Sequence, residues 1–186
     1  MRDDNPSAIK IYADLGFVEL ARRTTYQAKP DPLLTRTENG VAVSERHPRF
    51  WAQQREWLAH SYPDQLTWYT HWNSDVLAPS WWNWIYLAFI DMDLRQWAAI
   101  KDGELLATLA WMPVAGRATD VLWAAVRPDG DAAGLRSVLE AARRELSQRR
   151  GLVLDYPAGE AEQAIQSAGF TPVRTLIWMQ ASGPKK

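Results

Sequence analysis

One pattern occurs twice in this chain and constrains its fold more than any other feature. Ser7 to Phe17 reads as an amphipathic helix ending in Gly16-Phe17, then runs into a strand-like stretch that closes at Gln27. Glu160 to Phe170 ends in Gly169-Phe170 and runs into a second strand that closes at Gln180. A glycine can take the left-handed conformation that stops a helix, and the phenylalanine after it enters a core. The two units lie 153 positions apart, from Phe17 to Phe170, which is about the length of one domain. The second closes a domain, so the spacing predicts that the first does too. Residues 1–27 then read as the helix–strand remnant of an upstream copy, 28–32 as a linker, 33–182 as the main domain and 183–186 as a loose tail. A lone helix–strand unit cannot bury its own face. Its strand is expected to pair with a sheet edge, in its own chain or in a homodimer formed through residues 1–27.

Composition removes several function classes. The 186 residues carry a formal charge of −1, so no basic field draws nucleic acid or an acidic membrane surface. The absence of cysteine excludes disulfides, thiolate metal sites and a cysteine nucleophile. His47, His60 and His71 lack metal-ligand spacing, and no metal is expected. The richest apolar run, Trp81 to Ile90, is far short of a membrane span and contains Asn83. Met1 to Pro6 shows no signal core, and a soluble cytoplasmic protein is expected. Seven of the 11 tryptophans fall between Trp51 and Trp84. They read either as core and helix contacts or as the wall of a ligand pocket.

Periodicity predicts a helix over 5–15, with Asn5 as cap and Pro6 at its first position, and a strand over 17–27. Asn39-Gly40 predicts a hairpin between Leu33–Thr37 and Val41–Ser44. Helices are expected over 48–60 and 64–72, a loop over 73–80, and either helix or packed loop over 81–89. Strands follow at 94–101, 104–113 and 120–126, then a strong helix over 131–148. A strand at 151–156, a helix over 159–168 and a strand at 171–180 complete an α/β (α+β) chain with a mixed, mostly antiparallel sheet flanked by helices.

Asn5, Ala8, Tyr12, Gly16 and Phe17 resemble, in spacing, the C-terminal motif of the GNAT N-acetyltransferases. Residues 94–180 resemble the main domain of that family in their order of elements. The resemblance implies the GNAT acyl-CoA N-acyltransferase fold and acetyl transfer from acetyl-CoA to a small-molecule or peptide amine. It implies that Tyr12 matches the general acid toward the leaving thiolate and that Asn5 matches a cofactor contact. It places the cofactor along the strand Leu122, Trp123, Ala124, Ala125 and Val126. The turn into the long helix, Asp131, Ala132, Ala133, Gly134, Leu135 and Arg136, would wrap the pyrophosphate. A helix N-terminus suits that task, since its N–H groups point at the anion.

The pattern departs from the family in four places. Asp131 puts a carboxylate, and Arg136 a bulky side chain, where the loop approaches phosphate. Ile165 and Ala158 stand where the second copy of the motif would carry tyrosine and asparagine. Tyr156 on the preceding strand is a substitute acid or a half-buried packing residue. The alternative is a degenerate, non-catalytic GNAT domain that supports an active one. Asp91 and Asp93 could act as a base, or line a solvated strand edge. Asp120 could hold an acceptor amine, or close a loop. Ser44 and Ser80 lack a nucleophile-elbow context.

Overall fold

The structure, a computed structural model, describes residues 1–35, 40–66, 74–89, 93–113, 119–128 and 132–181, without the side chains of Trp84 and Tyr86. The elements in chain order are helix α1 (Pro6–Asp14), strand β1 (Phe17–Ala28), β2 (Ala42–Glu45), α2 (Trp51–Ser61), α3 (Trp81–Phe89), β3 (Arg95–Lys101) and β4 (Glu104–Met112). They continue with β5 (Asp120–Val126), α4 (Ala133–Glu145), β6 (Leu152–Pro157), α5 (Glu162–Ser167) and β7 (Thr171–Ala181). Single 3-10 turns lie at Pro48–Phe50, Asp64–Leu66 and Ser74–Leu77. Among the described residues no helix is long and apolar enough to cross a membrane.

All strands join one seven-stranded sheet in the order β2-β3-β4-β5-β6-β1-β7. β5 and β6 run parallel, joined through α4, and the other neighbours are antiparallel. One face is covered by α4 and α5. Leu135, Val138, Leu139 and Ala142 recur at helical spacing on α4 and are fully buried with Leu109, Leu122, Leu154 and Ile165. The other face carries α2 and the turn at 74–77, where Phe50, Trp57, Leu58 and Leu77 pack on Ala98, Leu105, Ala110 and Ala125.

Strand β1 is no edge addition. It pairs with β6 from Arg23 to Ala28 and with β7 from Phe17 to Gln27, so it lies inside the sheet. The expectation that residues 1–27 pair within their own chain is met, at an interior position. Gly16 and Gly169 take φ of +82° and +81°, as the two helix stops required. Asn5 caps α1 by accepting the Ala8 N–H at 3.0 Å. Arg143 at the end of α4 donates to the Lys29 and Ala168 carbonyls, which ties the stretch after β1 and the end of α5 to the long helix.

Other expectations need correction. Ala42–Glu45 does form a strand, and it pairs with Trp97–Ile100 of β3. Leu33 to Thr35 form no strand, and Asn39 lies outside the described residues. The stretch 73–80, expected as loop, contains the 3-10 turn at 74–77; of the helix expected over 64–72 only 64–66 are described, as a 3-10 turn, and 67–72 lie outside the described residues. Residues 81–89 are helical. The tryptophans divide: Trp57, Trp97 and Trp111 are buried in the core, whereas Trp81 and Trp82 stack on each other at 3.9 Å and are exposed. Trp81 also lines a cavity of about 670 Å³ with Arg46, Leu77 and Asn83, beyond the β2 edge.

Because β7 meets the sheet only through β1 among the named strands, a chain of residues 29–186 loses both the strand and the attachment of β7. That chain is expected to give no cooperative thermal transition, whereas the full chain melts in a single step. Circular dichroism during heating checks this.

Candidate active site

The sheet opens at one place. β5 and β6 are in register only at Asp120–Leu122 with Leu152–Leu154. Past Leu122 the two strands diverge, while β5 stays paired to β4 as far as Val126. The divergence leaves backbone groups of β5 without a strand partner, and buried groups of that kind must be satisfied some other way. A cavity of about 270 Å³ opens at the wide end. Its walls are Val126, Arg127 and Pro128 after β5, Ala132 before α4, Tyr156 on β6, and Glu160, Ala161 and His60 around them.

The narrow end is filled by a polar network. Tyr62, just past α2, reaches between the strands, and its hydroxyl accepts the Ala124 N–H at 3.2 Å. Its ring meets Trp123 edge-on at 5.2 Å and lies under the Arg23 guanidinium at 4.8 Å. Arg23 comes from β1 and is buried. It donates from Nε to the Asp155 carboxylate at 2.5 Å, from Nη1 to the Ser61 carbonyl at 2.6 Å and from Nη2 to the Asp155 carbonyl at 2.8 Å. Burial pushes the Tyr62 phenol well above its ordinary pKa, against the opposing pull of Arg23 and the Ala124 N–H. Burial raises Tyr156 as well, partly offset by a hydrogen bond with the Ser61 side chain. Both tyrosines are therefore neutral proton carriers at ordinary pH.

The residues expected to hold a cofactor fall into two groups. Trp123, Ala124, Val126 and Ala132 lie along the opening, and Tyr156 faces the cavity. Leu122, Ala125 and Leu135 are fully buried core residues. Asp131 is outside the described residues. Ala133 begins α4, whose N-cap residue Ala132 has no side-chain acceptor of its own. Arg136 pairs with the buried Glu140 at 2.8 Å along the helix. Gly134 packs where α4 crosses β4, since an added Cβ would stand 2.6 Å from the Leu106 Cβ. Its small size serves helix-on-sheet packing.

Asn5 and Tyr12 are not brought to the cavity. Asn5 serves as the helix cap, and Tyr12 stacks edge-on against Phe17 at 5.4 Å on the outer side of the sheet. Asp120 accepts the Trp111 indole N–H and faces Arg149 at the closed end of β5, so the amine-holding alternative is replaced by a structural one. Asp93 is paired with Arg95 in solvent, and Asp91 and His71 lie outside the described residues. Ser44 donates to the Glu45 carbonyl, and His47 caps the turn at 48–50. No group of metal-ligating side chains occurs among the described residues. The sequence reading missed Arg23, His60, Ser61, Tyr62 and Asp155, whose only signal is their meeting in space.

The overall fold is shared with solved structures. A GCN5-related N-acetyltransferase from Kribbella flavida superposes with a TM-score of 0.57 at 15% identity, over 96% of this chain and 65% of its own. One from Sphaerobacter thermophilus gives 0.53 at 11%, over 96% and 57%. An acetyltransferase of the GNAT family from Colwellia psychrerythraea gives 0.51 at 14%, over 96% and 63%. This chain has the GNAT fold. It spans less than two thirds of each of these proteins. No family model matches the sequence, and no curated protein matches it.

Two consequences of this GNAT-fold site are measurable. Gly134→Ala is expected to cost about 1–3 kcal/mol by overpacking, read from chemical denaturation. Unfolded tyrosine ionises near pH 10, whereas Tyr62 and Tyr156 in the folded chain ionise higher. The contribution of the buried phenols is thus intact below about pH 10 and is lost as pH rises beyond it. Tyr62→Phe and Tyr156→Phe should flatten that alkaline loss, and an unchanged slope would show the phenols are not desolvated.

Proposed function

We propose that this chain takes an acyl-CoA thioester between β5 and β6 and transfers its acetyl group to an amine of a small molecule or peptide, in the cytoplasm. The observation that carries the reading is the divergence of β5 from β6, which leaves the Ala124 N–H to the Tyr62 hydroxyl instead of a strand partner and opens a cavity at the start of α4. The N-terminal turn of α4 offers N–H groups and a partial positive charge to a pyrophosphate. The Ala124 N–H polarises the thioester carbonyl in the way an oxyanion donor does. The amine nitrogen bonds to the carbonyl carbon as the carbon–sulfur bond breaks. Tyr156, kept neutral by burial, gives its hydroxyl proton to the departing thiolate. The attacking amine sheds a proton to solvent past His60.

A second reading has its own observation. The Tyr62 hydroxyl already occupies the Ala124 N–H, so the site is closed at the reacting end. On that reading the domain is non-catalytic and supports an active GNAT domain. On the first reading Tyr62 must withdraw when the thioester enters.

Thermal unfolding with millimolar acetyl-CoA separates the two. A ligand that binds only the folded form stabilises it, by about 2.7 kcal/mol at a hundredfold excess over Kd. The enzyme reading expects a rise in Tm for the native chain, kept in Tyr156→Phe while kcat falls about 10²–10⁴-fold. No rise in the native chain but a rise in Tyr62→Ala supports the closed site. No rise in either chain removes both acyl-CoA readings.

A further inference from the structure

The repeat seen in the sequence is also a symmetry of the sheet. Shifting the β1 residues from Val18 onward by 153 positions gives their counterparts in β7, and the pairing between the two strands obeys that shift from Val18 to Gln27. Val18↔Gln180 becomes Gln27↔Thr171, Glu19↔Met179 becomes Tyr26↔Pro172, and Ala21↔Trp178 becomes Thr25↔Arg174. Arg23↔Leu176 maps onto itself and marks the local two-fold. The register shifts on either side of it obey the same shift, with Leu20 and Val173 left out of the pairing as counterparts. Two helix–stop–strand units therefore pair as equals about a local two-fold axis.

Their surroundings are unequal. On α5, Ala164, Ile165 and Ala168 are 9%, 0% and 1% exposed, because α4 covers them. Their counterparts on α1 are Ile11, Tyr12 and Leu15, which are 58%, 41% and 68% exposed. No residue of α1 is buried. Apolar side chains thus stand in solvent at the positions where the equivalent helix meets a long neighbour. The strand side shows the same imbalance. β6 runs antiparallel along β1 from Arg23. On the outer edge of β7, Met1 to Asp3 begin the equivalent run: Arg2 bridges Leu176, the Ile177 N–H donates to the Met1 carbonyl at 2.7 Å, and the Asp3 N–H donates to the Thr175 carbonyl at 3.2 Å. Beyond Ile177, the outer edge from Trp178 to Ala181 has no strand beside it among the described residues.

We infer that α1 and the outer edge of β7 form a docking surface for a second GNAT-fold unit. That unit lays a strand equivalent to β6 along Leu176–Ala181 and a helix equivalent to α4 over Ile11, Tyr12 and Leu15, continuing the sheet through the two-fold. A second copy of this chain is a poor occupant, since its own β6 and α4 are already covered by its own β1 and α5. The strand supplies backbone hydrogen bonds, as strand addition does at other sheet edges, and the helix buries the apolar face.

The symmetry specifies the test. Pro157 faces Arg23, and Arg2 faces the counterpart Leu176. A second copy of residues 33–156 placed ahead of Arg2 should therefore build such a second unit. The chain has no cysteine, so one introduced thiol reports on one position. Leu15→Cys is expected to react with maleimide as an exposed thiol in the native-length chain and about tenfold or more slowly in the fusion, because a covered site reacts only through local opening. Lys10→Cys, on the polar side of α1, should react alike in both. Equal rates for Leu15→Cys, or a fusion without a cooperative transition, would overturn the inference. In the native-length chain, Ile11→Lys with Leu15→Lys should leave the melting midpoint unchanged, and a large loss would mean the chain covers this face itself. A native-length dimer in light scattering that the same pair of lysines splits would assign the surface to a second copy and refute the stated occupant.

Discussion

The pairing of β1 between β6 and β7 is the interaction on which the rest depends. It joins residues 17–28 to residues 152–157 and 171–181, and it is entirely non-local. Among the described residues β7 has no other named strand beside it, so without β1 the closing strand would lose its attachment to the sheet. Such pairings incur their loop-closure entropy before any contact rewards it, which makes β1 insertion a late and slow event in folding. The same strand brings Arg23 to the opening between β5 and β6. The sheet's assembly and the chemistry of its gap are thus coupled through one residue, whose guanidinium is held by Asp155 and by the Ser61 carbonyl.

The gap follows from a conflict in that sheet. β5 must pair with β4 along its whole length, and β6 must pair with β1 as far as Pro157. Both demands are met only if β5 and β6 separate after three paired positions. Separation exposes backbone donors to a dry interior, where an unpaired group costs about 1–3 kcal/mol. Tyr62 answers that need at Ala124. A buried hydroxyl on a strand N–H is a stability device. On the acyl-transfer reading proposed above, stability and catalysis would compete for the same donor.

Elements with strong local periodicity were legible in the sequence. The face of α4 and the two glycine-phenylalanine stops were predicted at their observed places, because their signals lie within one or two turns. The pairing of Ala42–Glu45 with β3 was not legible, because its partner lies about fifty residues further on. The site was legible only where it lies on one strand. Trp123 to Val126 and Tyr156 could be placed, but Arg23, His60 and Tyr62 come from segments separated by most of a domain. Tyr12 and Asn5 matched a motif in spacing, yet the motif's position relative to the gap is a property of the assembled sheet. Gly134 was read as room for phosphate, and the nearer constraint is the Leu106 side chain.

The cation available to an anionic ligand can be decided by comparing two ion pairs. Arg136 sits in the first turn of α4, where the resemblance placed a phosphate contact. Its partner Glu140 is only 5% exposed, so this pair is partly buried and harder to exchange than one in solvent. Arg127 lines the cavity, and its partner Glu104 is 70% exposed. An exposed pair contributes about 0–1 kcal/mol, so Arg127 can exchange its carboxylate for a phosphate at little loss. On the acyl-CoA reading proposed above, the comparison favours Arg127, the residue after β5, as the anion contact, with Arg136 holding the helix. The departure at Arg136 does not by itself close the site to a pyrophosphate. Among the described residues, Tyr62 at the other end is the stronger barrier.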